Sequence, residues 1–335
     1  MSTGHLLQHR EVPETTGKVK VKPDIILKNF WRDNARFADL FNAALFGGRQ
    51  VLNPDDLVEC DTDVSSIVRF NNHVQTVQKI YDVVKKTAYG TEFVLWGLED
   101  QNKIHYAMPL RHMLGDSFSY LKEYNEIAAR NKQEKGFQSP DEFLSRFRKT
   151  DRLHPVISLC VYYGEDEWDG PLCLKDMLEI PESLEPLVAD YKMNLVQLRK
   201  SGKLQFHNSD VETVFNISRF IYEHGFEKIR SSYKDKSIPA ELGLVIGSIT
   251  GYRKIIDQAL EAERKGGEIY MCKALEEWEE KIRQEERQKE RQESIRFNIR
   301  TCKKFNIDKD AARTNIMEEF SLSEQKATEY VKQYW

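Results

Sequence analysis

The stretch Ile80–Gln101, with the sequence IYDVVKKTAYGTEFVLWGLEDQ, decides the fold that we predict for this chain. It divides into an apolar strand at Ile80–Val84, a connection at Lys85–Thr91 that contains Gly90, and a second strand at Phe93–Gln101. The connection is short and partly charged, as is typical of a turn between neighbouring strands. We expect the two strands to pair antiparallel.

Three polar side chains stand out in this hairpin. Asp82 lies inside the first apolar strand, and Glu99 and Gln101 point to the same side of the second strand because side chains alternate between faces. Antiparallel pairing brings Asp82 towards Glu99. Their two carboxylates and the amide of Gln101 would then form a binding site for a hard cation. The alternative is that Glu99 and Gln101 mark where the strand reaches water. Asp82 still needs solvent, a hydrogen bond or a bound partner.

Three further segments predict a mixed α/β layer around the hairpin. A helix is predicted at Asp24–Phe46, ended by Gly47, and a longer one at Met108–Asn131. The nearly continuous apolar run Pro155–Gly164 is typical of a central strand that is buried on both faces. The predicted buried stripe of the longer helix consists of Leu110, Leu114, Phe118, Leu121 and Ile127.

Strand patterns fade beyond residue 203. Helices are predicted at Val211–Tyr222 and Pro239–Lys265, followed by a highly charged helix at Glu276–Glu293 and a small helical unit at Phe297–Trp335. We expect any homo-oligomer to form through these C-terminal helices. The predicted organisation is a flexible leader (1–23), an α/β domain (24–202), a helical region (203–270), and a charged helix with a small C-terminal helical unit (271–335).

Composition limits the classes of protein that fit. The 335 residues include 50 basic and 54 acidic side chains, giving a net charge of −4, so any contact with nucleic acid must come from a local basic patch. The five scattered cysteines argue against a disulfide framework and a zinc site. No apolar run approaches the length that spans a bilayer. We therefore expect a cytoplasmic protein with no membrane partner.

Four short stretches carry a resemblance to a known family. In chain order they are FADLFN (Phe37–Asn42), GLEDQ (Gly97–Gln101), IHYAMP (Ile104–Pro109) and GEDEWDGP (Gly164–Pro171). Together with Asp82, they resemble the PD-(D/E)xK nuclease superfamily. More narrowly, they are similar to the recombination-promoting nuclease (Rpn) family, also called YhgA-like putative transposases. The resemblance covers residues 25 to 200 well and the remainder more loosely.

The resemblance implies a restriction-endonuclease-like fold, with a mixed sheet core flanked by helices and an all-helical C-terminal extension. Residues 24–202 would form the nuclease-like domain. The implied activity is that of a bacterial, Mg²⁺- or Mn²⁺-dependent DNA endonuclease that promotes recombination. Asp82 and Glu99 would bind the metal, joined by Asp39 from the first helix. For Asp39 the alternative is an exposed helical aspartate.

Three more residues receive roles from the resemblance. Gln101 would orient the attacking water or a phosphate oxygen, and Arg111 and His105 would contact the phosphate and the DNA. A surface arginine on a helix is the alternative for Arg111. The acidic segment from residue 54 to 63, which includes Asp61 and Asp63, supplies the chief rivals to Asp82 as ligands.

One departure from the superfamily pattern opens a second hypothesis. The superfamily usually has lysine where this chain has Gln101. The alternative function is therefore a catalytically weakened nuclease-fold protein that acts as a DNA-binding or assembly module. A transposase proper is the weaker third hypothesis, because the three-carboxylate set of ribonuclease-H-like enzymes is not found in order.

Overall fold

The computed structural model describes residues 22–60, 66–70, 73–77, 83–87, 90–96, 103–234 and 236–335. Contacts divide the chain into two compact units. Unit 1 comprises Met1–His224 and Ala240–Leu260, and unit 2 comprises Gly225–Pro239 and Glu261–Trp335. The units are defined by contacts alone, so the domain boundaries drawn from the sequence stay predictions.

The fold is mixed α/β, as predicted. The strands are β1 (Leu57–Glu59), β2 (Ser66–Phe70), β3 (His73–Val77), β4 (Val83–Thr87), β5 (Glu92–Trp96), β6 (Val156–Tyr162), β7 (Asn194–Gln197), β8 (Ser237–Pro239) and β9 (Glu268–Tyr270). The helices are α1 (Pro23–Arg32), α2 (Asn34–Phe46), α3 (Met108–Glu134), α4 (Pro140–Ser145), α5 (Ser209–Tyr222), α6 (Phe226–Tyr233), α7 (Ala240–Thr250), α8 (Arg253–Arg264), α9 (Met271–Lys304), α10 (Lys309–Phe320) and α11 (Glu324–Tyr334).

Unit 1 is built on a five-stranded mixed sheet with the order β1-β4-β5-β6-β7. The pairs β1–β4 and β4–β5 are antiparallel, whereas β5–β6 and β6–β7 are parallel. The apolar strand β6 lies inside the sheet, and its residues from Leu159 to Tyr162 are buried. The prediction of a strand within Pro155–Gly164 is confirmed. Strands β2 and β3 form a separate antiparallel pair.

Helices cover both faces of this sheet, which explains why its central strands are apolar on both sides. On one face, Phe93 of β5 packs edge-on against Phe41 of α2 at a centroid distance of 5.3 Å. On the same face, Trp31 Nε1 of α1 donates a hydrogen bond of 2.8 Å to the hydroxyl of Tyr163. The opposite face packs against α3 through a cluster that contains Val84, Val94, Met108, Cys160 and Met193.

The predicted hairpin is present, but β4 includes residues 85–87, which were predicted to connect the two strands. Residues 80–82 and 97–101 of the predicted strands lie outside the described residues. Lys85, which was predicted to begin the connection, lies within β4 and is fully buried. Its ammonium group donates to the carbonyl oxygen of Arg32 at 2.5 Å and to Asn34 Oδ1. Burial lowers the pKa of Lys85. A lysine can extend the strand here because the end of α1 and the start of α2 supply acceptors for its charge.

Two helices predicted as continuous are broken. The predicted helix at Asp24–Phe46 is interrupted at Asp33, whose carboxylate accepts a 2.9 Å hydrogen bond from the backbone N–H of Arg36 and begins α2. Gly47 ends α2 in the left-handed region, which confirms the predicted glycine cap. The predicted helix at Pro239–Lys265 is divided into α7 and α8 near Gly251, which has a φ of +69°.

The buried stripe predicted on α3 is partly wrong. Leu110 and Leu114 are exposed by 37% and 45%, whereas Ile127 is buried as predicted. The face that meets the sheet instead carries the polar residues His112 and Asp116, both almost fully buried. Their partners on the strands explain how this face is stabilised.

Unit 2 is mainly helical but not all-helical. Ser237–Pro239 pairs antiparallel with Glu268–Tyr270, which corrects the prediction of an extension without strands. At the C-terminal end of the unit, α9, α10 and α11 enclose an apolar cluster that contains Ile295, Ile299, Ile316, Ala327 and Val331. None of the described helices is both long enough and apolar enough to cross a membrane.

Candidate functional site

The sheet of unit 1 has an edge at which four strand ends meet. Val83 at the start of β4 pairs with Leu95, one residue before the end of β5. The parallel strands β5 and β6 end at Trp96 and Tyr162, and Tyr162 pairs with Gln197 at the end of β7. We call this the carboxyl edge. In open α/β sheets, ligands bind at the edge where parallel strands have their carboxyl ends.

Ring contacts and hydrogen bonds hold the loop that follows β6 at the carboxyl edge. Its Trp168 packs edge-on against the ring of Tyr162 at a centroid distance of 5.3 Å. The backbone N–H of Trp168 donates 3.1 Å to Gln197 Oε1. Arg199 donates 2.7 Å to the carbonyl oxygen of Glu165. These contacts join the loop to the ends of both β6 and β7.

The segment that leads into α3 contacts the same loop. The hydroxyl of Tyr106 donates a 3.0 Å hydrogen bond to Asp169 Oδ1, and this bond raises the pKa of Tyr106. A Cβ atom on Gly170 would lie 3.0 Å from Ile104 Cγ2, so the Ile104 side chain packs closely against the backbone of Gly170. The first turn of α3 is therefore held beside the loop after β6.

The site residues predicted on α3 and just before it are described by the structure. His105 is exposed, and its Nδ1 accepts a 3.3 Å hydrogen bond from the backbone N–H of Ala107. Arg111 lies in the first turn of α3 and is half-buried. His105 and Arg111 thus lie on either side of Tyr106 in the sequence, and Tyr106 contacts Asp169.

The three predicted catalytic residues, Asp82, Glu99 and Gln101, lie outside the described residues. Asp39 is described and lies on α2 with only 4% of its surface exposed, so the alternative of an exposed aspartate is wrong. Its Oδ1 accepts a 2.9 Å hydrogen bond from the backbone N–H of His207, while the buried Oδ2 has no hydrogen-bond partner among the described residues. No group of three or more His, Cys, Asp or Glu side chains is placed to hold a metal ion within the described ranges.

Sequence reasoning missed a buried polar network between α3 and the sheet. The hydroxyl of Ser158 on β6 lies 3.1 Å from His112 Nδ1 and 3.0 Å from Asp116 Oδ2. The hydroxyl of Tyr191 donates to the same oxygen of Asp116. We call these four residues the α3 network.

The α3 network joins a carboxyl group, two hydroxyls and an imidazole by hydrogen bonds between α3 and the sheet. Burial, reinforced by the hydrogen bond to Asp116, raises the pKa of Tyr191 well above its ordinary value. The phenol therefore stays protonated and remains a donor to the carboxylate. Because Ser158 belongs to the strand and His112 to the helix, the network fixes α3 against β6. The sequence signal for it was the spacing of His112 and Asp116, which places both on one face of a helix.

Comparison of the chain with protein-family models gives no match. Comparisons with curated proteins and with solved structures give no significant match either.

Proposed function

We propose that the chain is a metal-dependent DNA endonuclease with a restriction-endonuclease-like core, whose site lies at the carboxyl edge. The observation that carries the proposal is the register of β4 and β5. It pairs Val83 with Leu95, and in the sequence Asp82 immediately precedes Val83, while Glu99 follows the end of β5 by three residues. In the sequence, the two carboxylates therefore adjoin the neighbouring ends of β4 and β5.

Two further observations support this location. The loop Gly164–Pro171 and the start of α3, which both carry the resemblance to the Rpn family, are held together at this edge by the Tyr106–Asp169 hydrogen bond. Arg111 lies in the first turn of α3 and His105 just before this helix, which suits side chains that contact a phosphate. The resemblance and the register therefore point to the same part of the fold.

The donor set suits Mg²⁺ or Mn²⁺, because both ions prefer carboxylate oxygens. Asp82 and Glu99 would hold the ion, and Asp39, whose Oδ2 lacks a hydrogen-bond partner among the described residues, is the candidate for a third ligand. When bound, the ion lowers the pKa of a water molecule and offsets the charge of the phosphodiester.

The remaining side chains orient the reactants. Gln101 would hold the attacking water through its amide oxygen or a phosphate oxygen through its amide nitrogen. Arg111 would bind the scissile phosphate and offset the negative charge that grows on it in the transition state. His105, which is exposed, would contact the DNA backbone near the cut.

The test is Mg²⁺-dependent nicking of supercoiled plasmid DNA. Asp82→Asn and Glu99→Gln should each reduce the rate by about 100-fold or more, since each removes a charged ligand and leaves the shape of the side chain nearly unchanged. Asp257→Asn is the matched control because Asp257 is an exposed carboxylate on α8 with no role in the proposed site, and it should nick at the wild-type rate. Wild-type cleavage by Asp82→Asn or Glu99→Gln would exclude the proposed mechanism.

Gln101→Lys tests the departure from the superfamily pattern in the same assay. We expect it to keep or raise the nicking rate, because lysine is the usual residue at this position and adds a cation beside the phosphate. Complete loss of nicking would show instead that the amide of Gln101 has a role that lysine does not replace.

A further inference from the structure

The second half of α9 carries a run of cations without carboxylates. Between Glu293 and Asp308 the sequence has no acidic residue, although the whole chain has a net charge of −4. All the cations of this run are exposed: Arg296, Arg300, Lys303 and Lys304. A local basic patch of this kind is what a chain with an acidic balance needs if it binds nucleic acid.

Helical spacing gathers these cations on one face with an aromatic ring. Ile295 and Ile299 are buried in the core of unit 2. At 3.6 residues per turn, Arg300 and Lys304 lie on the side that faces away from this core, together with Phe297. Phe297 is 74% exposed, so most of its ring is open to solvent. We call Arg296, Phe297, Arg300, Lys303 and Lys304 the basic face.

Two cations of the basic face, Arg296 and Lys303, contact residues at the end of α11. Within the ranges that the structure describes, none of its four cations forms an ion pair with a side-chain carboxylate. Arg296 lies 5.9 Å from the centroid of the Tyr334 ring, and Lys303 donates to the main-chain oxygen of Trp335. By contrast, Arg283 earlier in α9 pairs with Glu279 at 2.6 Å.

We propose that the basic face binds single-stranded nucleic acid. Its cations would neutralise backbone phosphates, and Phe297 would stack against a base. Unpaired bases offer the flat faces that an exposed ring requires, whereas a duplex keeps its bases stacked inside. From Arg296 to Lys304 the face is about 12 Å long, enough for a few nucleotides. The proposal does not depend on the nuclease site of unit 1.

The experiment is fluorescence anisotropy of a labelled oligothymidylate with the full chain in EDTA, which prevents metal-dependent cleavage. Four phosphate contacts predict a slope of log K against log salt of about −2.8, or about 50-fold weaker binding between 50 and 200 mM salt. The double variant Arg300→Gln/Lys304→Gln should halve this slope. Phe297→Ala should weaken binding by about tenfold and leave the slope unchanged.

The matched control removes two exposed cations from α11, Lys326→Gln/Lys332→Gln. Both lysines are exposed and lie outside the basic face, so the control removes the same net charge as Arg300→Gln/Lys304→Gln. The control should keep the wild-type slope. An equal loss of slope in the control would show that only net charge matters and would overturn the proposal.

Two other results would overturn it. One is a wild-type slope in Arg300→Gln/Lys304→Gln. The other is a wild-type chain that does not bind the oligonucleotide but forms a dimer in light scattering, with the dimer lost in Phe297→Ala. The basic face would then be a contact between two copies of the chain. Circular dichroism of each variant checks that the helices are retained.

Discussion

The α3 network makes a quantitative prediction for the single change Tyr191→Phe. The substitution keeps the ring and removes only the hydroxyl that donates to buried Asp116. A hydrogen bond to a charged group contributes about 1.5–3 kcal/mol, so the free energy of unfolding should fall by about that amount. For a domain of this size the melting temperature should fall by about 3–12 °C. Urea denaturation followed by circular dichroism measures the loss.

Tyr106→Phe is the matched control for this prediction. Tyr106 also donates to an aspartate, Asp169, but it is 60% exposed, so water replaces the lost bond and no measurable loss of stability is expected. Equal effects of Tyr191→Phe and Tyr106→Phe would refute the reasoning, because burial is the difference that separates the two hydrogen bonds.

The pH dependence of the same variant follows from the raised pKa of Tyr191. The unfolded chain loses the phenolic proton at about pH 10, whereas the folded state keeps it. The stability that this residue contributes is therefore complete below about pH 10 and is lost as the pH rises through the folded-state pKa. The difference in stability between wild type and Tyr191→Phe should narrow above about pH 10. A constant difference from pH 7 to pH 11 would contradict this.

Two further predictions concern other buried polar groups of unit 1. Lys85→Ala should lower the free energy of unfolding by about 2–4 kcal/mol, because it leaves a cavity and removes the donor from the Arg32 carbonyl. The control is Lys86→Ala, at the neighbouring half-exposed lysine. It should lower the free energy of unfolding by less than about 1 kcal/mol in the same denaturation assay. Asn42→Ala should cost about 2–4 kcal/mol, because the buried amide accepts from the backbone N–H groups at Val51 (3.1 Å) and Leu52 (2.8 Å) and donates to the Leu52 carbonyl. A loss in Asn42→Ala no larger than that in Lys86→Ala would contradict the role of this amide in holding the segment after α2.

The apolar parts of the fold were predictable from the sequence. The run Pro155–Gly164 is long and nearly free of polar residues, and only a central strand buries such a run on both faces. The end of α2 was predictable for a local reason, since Gly47 adopts the left-handed conformation that glycine tolerates best. Both predictions depend on neighbouring residues alone.

The buried polar residues were not predictable in the same way. Leu110 and Leu114 followed a helical pattern, yet α3 turns His112 and Asp116 towards the sheet. This face is stable because Ser158 supplies a hydroxyl from a strand more than 40 residues away. Hydrophobic periodicity predicts burial from the apolar or polar character of each residue. It contains no information about hydrogen-bond partners that are distant in the sequence.

The same reason applies to the candidate site. Lys85 was assigned to a turn by its charge, although acceptors at Arg32 and Asn34 allow its burial in a strand. Asp39 is buried because the backbone N–H of His207 binds one of its oxygens. For both side chains, the deciding contact comes from a segment that is remote in the sequence. The antiparallel pair of β4 and β5 was predictable, and its register is the main support for the proposed site of Asp82 and Glu99.

The two proposed activities differ in their dependence on metal and on salt, so experiments can distinguish them. Cleavage at the carboxyl edge requires a divalent ion, so it should stop in EDTA and in Glu99→Gln. Binding through the basic face requires cations and an aromatic ring, so it should continue in both and respond to salt. Glu99→Gln should therefore bind the oligonucleotide like wild type while failing to nick plasmid. If calorimetry shows no Mg²⁺ or Mn²⁺ binding at millimolar metal but oligonucleotide binding persists, the chain is a DNA-binding module that lacks the catalytic chemistry, because the contacts of the basic face need no ion.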